Sequence, residues 1–115
     1  MYKVMAFLAR KPGMTRDEFR DYYENRHAPL VGQLTPKFAA YRRNYVNFEG
    51  PLKTDEHLIT FDVVVEIEFE DQAACERWVA AYQVPDVLAR ISADEENFLD
   101  RDRMLVCAVD QEQTK

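Results

Sequence analysis

Residues 61–69 read FDVVVEIEF, and the alternation in this stretch decides the fold. In a β-strand successive side chains point to opposite faces, so each face receives every second residue. One face is entirely apolar and comprises Phe61, Val63, Val65, Ile67 and Phe69. The other face is mostly acidic and comprises Asp62, Val64, Glu66 and Glu68. We therefore predict a strand that packs one of its faces on a hydrophobic core.

Three further segments are predicted to be strands of the same sheet. Residues 2–10 are mostly apolar and end at a Lys-Pro-Gly turn, and residues 38–48 are rich in aromatic side chains. Residues 104–109 read MLVCAV and form the last apolar run. Residues 51–60 are polar without a clear period, which predicts a long surface loop between the second and third strands.

The first helix has the best-defined start in the sequence. Thr15 and Glu18 fit a capping box, in which a hydroxyl and a carboxylate satisfy free backbone amides. Tyr23 and His27 are four residues apart, so they share one face of the helix. Pro29 disfavours helical angles at the residue before it, which predicts that the regular helix ends near His27.

Two more helices are predicted after the third strand. Asp71 can cap a helix that runs until Pro85 interrupts it. The stretch from Ser92 to Glu95 repeats the capping-box pattern. It predicts a shorter helix that begins at Ser92, with Glu95 as a capping residue.

The elements follow one another as strand, helix, strand, strand, helix, strand. This order is typical of α+β ferredoxin-like folds, βαββαβ, with a four-stranded antiparallel sheet. At 115 residues, we predict that residues 1–115 form a single domain. Helices on one side leave the other face of the sheet in need of cover. Because that face carries Val64 among charged residues, we predict that it pairs with a second copy to form a symmetric homodimer.

The composition argues against several classes of function. The formal net charge is −6 and the dense basic spot is Arg42-Arg43, so nucleic acid is not an expected partner. The sequence has no apolar run of about 18 residues, so we expect no membrane partner and a cytoplasmic location. Cys75 and Cys107 lack the spacing of a metal or redox pair and are predicted to be free thiols.

Four segments carry a resemblance to a known family. They are LARKPGMTRDEFRDYYENRHAPL at 8–30, YRRNYV at 41–46, FDVVVEIEF at 61–69 and DEENFLDRDRM at 94–104. Together they resemble the EthD-domain family within the dimeric α+β barrel proteins. The resemblance implies a ferredoxin-like fold paired into a dimeric barrel, and it places the family's motif histidine at His27.

The same resemblance implies a range of reactions. Fungal members act as decarboxylases or dehydratases on aromatic polyketides, and neighbouring families include cyclases, isomerases, cofactor-independent monooxygenases and haem-degrading enzymes. Fold alone does not choose among these reactions.

His27, Tyr23 and Asp94 are the candidate catalytic residues. An imidazole can move a proton near neutral pH, whereas a histidine at a helix end can equally bind the last carbonyls. Tyr23 precedes His27 by one turn and could donate its hydroxyl to a substrate oxygen or only pack in the core. Asp94 could face His27 and hold its tautomer, or its segment could only join the last helix to the last strand.

The predicted ligand-binding residues are Tyr22, Asn44, Asp62, Glu66 and Phe98. Asp62 and Glu66 share a strand face, so both could look into a barrel cavity, or they could pair with Arg42 or Arg43. Asn44 could orient a ligand, although its facing depends on strand register. Tyr22 could supply a hydroxyl to a substrate, and Phe98 belongs to the segment that resembles the family.

Two functional interpretations remain open at this point. The first is a cofactor-independent enzyme in which His27 shuttles a proton and Tyr23 or Asn44 polarises an oxygen of a small apolar or aromatic carbonyl compound. Decarboxylation, dehydration, isomerisation or cyclisation would fit, and oxygen-dependent oxidation is the nearest variant. The second is a non-catalytic dimeric module that binds a small apolar ligand. No metal or cofactor is expected, although the resemblance allows haem with His27 as axial ligand.

Overall fold

The computed structural model describes residues 1–52 and 55–115 of the chain. Its strands are β1 (Tyr2–Leu8), β2 (Ala40–Tyr45), β3 (Val63–Phe69) and β4 (Leu105–Val109). Its α-helices are α1 (Arg16–Tyr22), α2 (Ala28–Leu34), α3 (Gln72–Tyr82) and α4 (Pro85–Glu95). A π-helical turn (Tyr23–His27) joins α1 to α2, and 3₁₀ turns cover Glu56–Leu58 and Arg101–Arg103.

The four strands form an antiparallel sheet in the order β2-β3-β1-β4. The central pair runs from Tyr2 opposite Phe69 to Leu8 opposite Val63. This arrangement of strands and helices is the ferredoxin-like βαββαβ fold, so the predicted fold class is confirmed.

The sheet has two unlike faces, which we call the helix face and the open face. The helix face includes Val63, Val65, Ile67 and Phe69 of β3 and Tyr41, Arg43 and Tyr45 of β2. The open face includes Lys3, Met5, Phe7, Arg42, Asn44, Val64, Glu66, Glu68 and Leu105. On the helix face, Val63 and Val65 are 0% and 1% exposed. The predicted alternation of the third strand is therefore confirmed.

Two predicted helix starts are present. The Thr15 hydroxyl accepts from the Glu18 N–H at 3.1 Å, and the Glu18 carboxylate accepts from the Thr15 N–H at 2.9 Å, which completes the capping box of α1. The Asp71 carboxylate accepts from the Ala74 N–H at 2.8 Å and caps α3. Both starts depend on contacts within four residues, which local sequence can specify.

The first helical segment does not end near His27, so that prediction is wrong. The Ala28 N–H donates to the carbonyl of Tyr23, five residues earlier, and the backbone then continues into α2. Pro29 lies in the first turn of α2. Proline is well tolerated in a first turn, where its missing N–H is not needed. The wider π turn thus lets the chain stay helical through Pro29 and buries both Tyr23 and His27.

The predicted helix start at Ser92 is also wrong. Pro85 does more than interrupt the preceding helix, because it occupies the first turn of α4, which runs to Glu95. Ser92 therefore lies inside α4, and Glu95 is a buried residue of its last turn with no capping role. A proline at a helix start is a stronger signal than a second capping-box pattern within the same helix.

The sheet is shorter than the sequence predicted at several strand ends. Beyond Leu8 the chain leaves the sheet, and Arg10 forms an isolated bridge with Leu99. The predicted loop at 51–60 contains a 3₁₀ turn that Asp55 caps by accepting from the His57 N–H at 2.9 Å; residues 53–54 of that loop lie outside the described residues. Within the described ranges, no helix has the length and apolar character needed to cross a membrane.

Candidate active site

A cavity of about 530 Å³ lies between the helix face and the helices. Its walls come from all four strands, the π turn, α2, α3 and α4, and most of the lining side chains are apolar or aromatic. The polar side chains in the lining are those of Tyr2, Tyr23, His27, Tyr41, Trp78, Tyr82 and Glu95. Such a wall suits a small, largely apolar ligand that a few polar groups orient.

His27 lines this cavity and is 5% exposed. Its ring packs against Phe98 and Tyr23, with centroid distances of 4.7 Å and 5.4 Å. Its Nδ1 lies 2.9 Å from Oδ2 of Asp94, as predicted for an acidic partner. A carboxylate at Nδ1 favours the tautomer with the proton there, which leaves Nε2 as the basic nitrogen. Asp94 is not part of the cavity wall, whereas His27 is.

The protonation of His27 reflects two opposed effects. Burial lowers the pKa of the imidazole below its ordinary 6.5, and this effect outweighs the hydrogen bond and the charge of Asp94, which raise the pKa. The imidazole is therefore neutral at neutral pH and can accept a proton at Nε2.

Asp94 is held from a second side by Tyr22. The Tyr22 hydroxyl donates to Oδ1 of Asp94 at 2.6 Å, and the Asn97 side-chain amide donates to the Tyr22 hydroxyl oxygen at 3.0 Å. Burial and the adjacent Asp94 raise the pKa of Tyr22. Tyr22 is absent from the cavity wall, so the structure places this predicted ligand-binding residue behind Asp94, where it orients the carboxylate.

Tyr23 and Tyr41 form a hydroxyl pair on the cavity wall. Their oxygens are 2.7 Å apart, and either hydroxyl can be the donor. Burial is the largest cause that raises the pKa of both phenols, so both are neutral. In such a pair, the hydroxyl that accepts keeps its own O–H for a ligand. Tyr23 was predicted as a candidate, whereas Tyr41 was missed because its facing depends on strand register.

An ion pair supports the tyrosine pair from the side. Arg43 donates through Nε and Nη2 to the two carboxylate oxygens of Glu24, each at 2.8 Å, and the Tyr45 hydroxyl donates to the same carboxylate at 2.6 Å. The hydrogen bonds from Arg43 are the main cause that lowers the pKa of Glu24 to about 2. The guanidinium carbon lies 4.7 Å from the ring centroid of Tyr41, so this network fixes the ring that lines the cavity.

Phe98 is fully buried behind the cavity wall. It is 0% exposed, stacks on Tyr22 at 5.0 Å and contacts Phe19 at 5.6 Å, in addition to its contact with His27. It does not line the cavity. The structure therefore gives this predicted ligand-binding residue a supporting position under the imidazole.

The remaining predicted ligand-binding residues, Asn44, Asp62 and Glu66, lie away from the His27 cavity. Asn44 and Glu66 are on the open face, where the Asn44 amide donates to Glu66 at 3.1 Å. Asn44 therefore cannot polarise a substrate oxygen beside His27, which corrects that hypothesis. Glu66 pairs with Lys3 at 3.1 Å and with Arg42 at 3.8 Å, so the alternative pairing with Arg42 is present.

Asp62 has partners that the sequence did not predict. Its carboxylate accepts from the Arg10 backbone N–H at 2.8 Å and from the Arg10 guanidinium at 3.1 Å. Asp62 borders two surface clefts, of about 490 Å³ and 610 Å³, and neither is lined by His27.

Glu95 is another cavity residue that sequence reasoning missed. It lines the cavity, is 8% exposed and has no hydrogen-bond partner for Oε1 among the described residues. Burial raises its pKa above 4.5. A signal was present, because Leu88, Ile91 and Glu95 recur at helical spacing, which places a carboxyl group on an apolar stripe.

The fold and the site together define a class of protein: a ferredoxin-like α+β domain with a histidine-centred apolar cavity between its sheet and its helices. The family model described as "EthD domain" matches residues 11–102, which is most of the chain. The chain belongs to the EthD-domain family. The resemblance stated from the four sequence segments is confirmed.

Relatives of this chain include both a named enzyme and solved structures. It is 28% identical over 103 residues to "Dehydratase ustZ" of Ustilaginoidea virens, covering 82% of this chain and 71% of the relative. An EthD family protein of Bacillus halodurans superposes with a TM-score of 0.65 at 17% identity, covering 97% of this chain and all of the other. A dimeric ferredoxin-like protein of Thermobifida fusca superposes with a TM-score of 0.58 at 13% identity, covering 94% and 88% of the two chains.

Proposed function

We propose that this protein is a dehydratase-type lyase that removes water from a hydroxylated cyclic ketone. The observation that carries the proposal is His27, whose Nδ1 is bound to Asp94 while its ring lines an apolar cavity of about 530 Å³. The likeness to a relative named as a dehydratase selects this reaction among those that a histidine base can perform.

The first step is proton abstraction by His27. A proton on the carbon next to a ketone is acidic because the charge moves to the carbonyl oxygen as an enolate. With Nδ1 held by Asp94, Nε2 is the basic nitrogen of His27, and the residue lines the cavity. The neutral state of the imidazole, which burial favours, is the state that this step needs.

The enolate oxygen needs a hydrogen-bond donor as its charge develops. The Tyr23–Tyr41 pair has one hydroxyl proton that the pair itself does not use. Donors fixed in an apolar site stabilise an oxyanion more than donors in water do. Loss of hydroxide from the next carbon, assisted by a proton, then yields water and a conjugated ketone. This elimination is redox-neutral, so it requires no oxidant or reductant.

The proposed activity can be tested with 3-hydroxy-1-tetralone, a bicyclic ketone with a hydroxyl on the carbon beyond the acidic one. Loss of water followed by tautomerisation gives 1-naphthol, whose fluorescence reports turnover. We expect the wild-type protein to accelerate this conversion over buffer and His27→Gln to be slower by at least about 100-fold.

The matched control is His57→Gln, because His57 is an exposed histidine in the 3₁₀ turn between β2 and β3. We expect this variant to retain the wild-type rate. Conversion of the ketone by His27→Gln at the wild-type rate would remove His27 from the mechanism. Binding of 1-naphthol without any turnover of the ketone would instead favour a non-catalytic binding module.

We also propose that the chain forms a homodimer through its open face. That face carries Met5, Phe7 and Val64 among charged side chains, and Leu105 on it is 66% exposed. The similar Thermobifida fusca protein is described as dimeric. Light scattering at micromolar concentration should give twice the chain mass for the wild type and for Val84→Lys, a half-exposed control position on the helical side. Val64→Lys should give the mass of one chain.

A further inference from the structure

Glu95 is a buried carboxyl group that the proposed histidine chemistry does not yet use. It follows Asp94 in the last turn of α4, yet the two side chains have different surroundings. Asp94 contacts Tyr22 and His27, whereas Glu95 lines the cavity and its Oε1 has no partner among the described residues. A buried polar atom without a partner costs free energy, so a role for it in the presence of ligand is to be expected.

We propose that Glu95 is the proton donor of this cavity: its neutral carboxyl group contacts the hydroxyl oxygen of the ligand and protonates that oxygen as it leaves. This proposal rests on the proposed function, because the leaving hydroxyl belongs to the dehydration. It adds Glu95 as a second catalytic group and restricts the substrate class to compounds with a hydroxyl within reach of Glu95. It also assigns the role of acid to Glu95 and the role of base to His27.

A second buried atom on the same wall supports a ligand that carries oxygen. Trp78 lines the cavity, and its buried indole N–H likewise has no hydrogen-bond partner among the described residues. Trp78 is a donor only, whereas a carboxyl group can both donate and accept. An oxygenated ring system in the cavity would supply partners for both groups.

The charges around Glu95 favour its protonated form. Burial is the main cause that raises its pKa, the neighbouring Asp94 raises it further, and Arg101 lowers it. Tyr82 of α3 and Tyr41 of β2 also sense the charge of Glu95, and His27 lies on the same cavity wall. His27 and Glu95 are thus shifted in opposite directions, towards a neutral base and a neutral acid, which is how paired groups divide acid and base roles.

The proposed step balances in atoms and electrons. His27 Nε2 takes the proton from the carbon beside the carbonyl, and the electron pair of that C–H bond forms the new C=C bond. The C–O bond to the hydroxyl breaks, and its oxygen takes the proton of Glu95 and leaves as water. The proton on His27 then returns to Glu95 through solvent, so the net change is the loss of one water molecule.

The test compares Glu95→Gln, Glu95→Leu and the matched control Glu96→Gln, a neighbouring exposed carboxylate that pairs with Arg101 at 3.4 Å. Binding is measured by fluorescence with 1,3-dihydroxynaphthalene, which carries oxygens at the positions of both the carbonyl and the leaving hydroxyl but cannot lose water, and turnover is measured with 3-hydroxy-1-tetralone. Glu95→Gln keeps a neutral hydrogen-bonding group and should bind 1,3-dihydroxynaphthalene within about twofold of wild type, while Glu95→Leu should bind it about tenfold more weakly.

For turnover, we expect Glu95→Gln to lose at least about 100-fold, because an amide cannot give up a proton under these conditions. Its residual rate should keep the acid limb of the pH profile, which belongs to His27. Glu96→Gln should match the wild type in both measurements.

The two proposals fail in distinguishable ways. Wild-type turnover at a rate that Glu95→Gln reproduces would overturn the role of Glu95 and leave the dehydration intact. Equal binding of 1,3-dihydroxynaphthalene by Glu95→Leu and the wild type would show that Glu95 does not contact the ligand oxygen, and would overturn the proposal even without turnover. Absence of wild-type turnover with the predicted loss of binding in Glu95→Leu would reject the dehydration and with it the proton transfer, and would leave only the contact between Glu95 and the ligand oxygen.

Discussion

Charged side chains on the open face of the sheet pair with one another, whereas two polar side chains that line the cavity on the helix side have buried atoms without partners among the described residues. On the open face, Lys3 contacts Glu66 at 3.1 Å and Glu68 at 3.7 Å, and Arg42 contacts Glu68 at 3.3 Å. On the helix side, the cavity wall holds Glu95 and Trp78, whose buried polar atoms have no partners among the described residues.

This difference distinguishes polar groups that stabilise the fold from polar groups that are available to bind a ligand. Charges that are paired in the folded chain have their interactions already satisfied, so they give a ligand little to bind. Unpaired polar atoms in an apolar wall cost free energy in the empty protein and gain partners when an oxygenated ligand enters. The helix side is thus the better candidate for an active site, although β3 carries its acidic residues on the open face.

The largest effect should follow from truncation behind the cavity, by Phe98→Ala. Because Phe98 is 0% exposed and supports His27, its loss should lower the free energy of unfolding by about 3–5 kcal/mol. Denaturant titration measures this cost. Leu105→Ala on the open face is the comparison; as Leu105 is 66% exposed in the single chain, it should cost much less at a protein concentration low enough to dissociate the proposed homodimer. A Leu105→Ala cost as large as that of Phe98→Ala would break the contrast between the faces.

A smaller effect is expected from Asp94→Asn, which keeps the shape of the site and removes the charge. We expect turnover of 3-hydroxy-1-tetralone to fall about 10–100-fold, because the imidazole loses the partner that fixes its tautomer. Asp94 raises the pKa of His27, so its removal should lower that pKa further and shift the acid limb of the pH profile to lower pH. NMR titration of the imidazole protons checks the shift independently. An unchanged His27 titration would contradict the contact.

A still smaller effect should follow from Glu24→Gln, which breaks the pair that supports Tyr41. The folded-state pKa of Glu24 is about 2, below its ordinary 4.5, so its stabilising effect is complete above pH 4.5 and declines as pH falls towards 2. With a side chain 35% exposed, solvent screening limits the loss to about 1 kcal/mol. Melting curves over this pH range should show a shallower acid decline in Glu24→Gln than in wild type. Parallel declines would mean that the pair does not stabilise the fold.

The smallest effect is expected from Lys3→Met on the open face. Arg42 remains within 3.8 Å of Glu66 and 3.3 Å of Glu68, so these carboxylates keep a cationic partner. We expect a change in unfolding free energy below about 1 kcal/mol and no change in turnover. Denaturation at low and high ionic strength measures the electrostatic part. A loss of turnover in Lys3→Met would show that the two faces are functionally coupled.

Local signals predicted the elements and the fold class. The alternation of residues 61–69 and the capping box at Thr15 and Glu18 depend on neighbours within a few residues, and both are present as predicted. The ends of the helical segments were predicted less well. Continuation past Pro29 required a π turn, and the start of α4 at Pro85 overrode the second capping-box pattern. In both places several local patterns competed, and packing of Tyr23, His27 and Ile91 into the core favoured the observed one.

The candidate site was predicted only in part. His27 and Tyr23 came from one helical stripe, and the family resemblance singled out His27 and the segment that contains Asp94. Glu66 lies on a face of β3, whereas Asp62 precedes that strand and binds Arg10, and the sequence could not tell which face of the sheet would hold the cavity. Glu95 was assigned to capping because its helix was taken to begin three residues earlier.

The sequence by itself determined the class of fold, the family and the choice of His27 as the candidate histidine. Periodicity, capping and motif similarity all depend on residues that are close together in the sequence. Only the tertiary structure decided that His27 meets Asp94 across 67 positions of chain, that Tyr41 pairs with Tyr23, and that Glu95 lines the cavity without a partner for Oε1 among the described residues. These facts depend on how the helices settle on the sheet, and that packing is the sum of many weak contacts between residues distant in sequence.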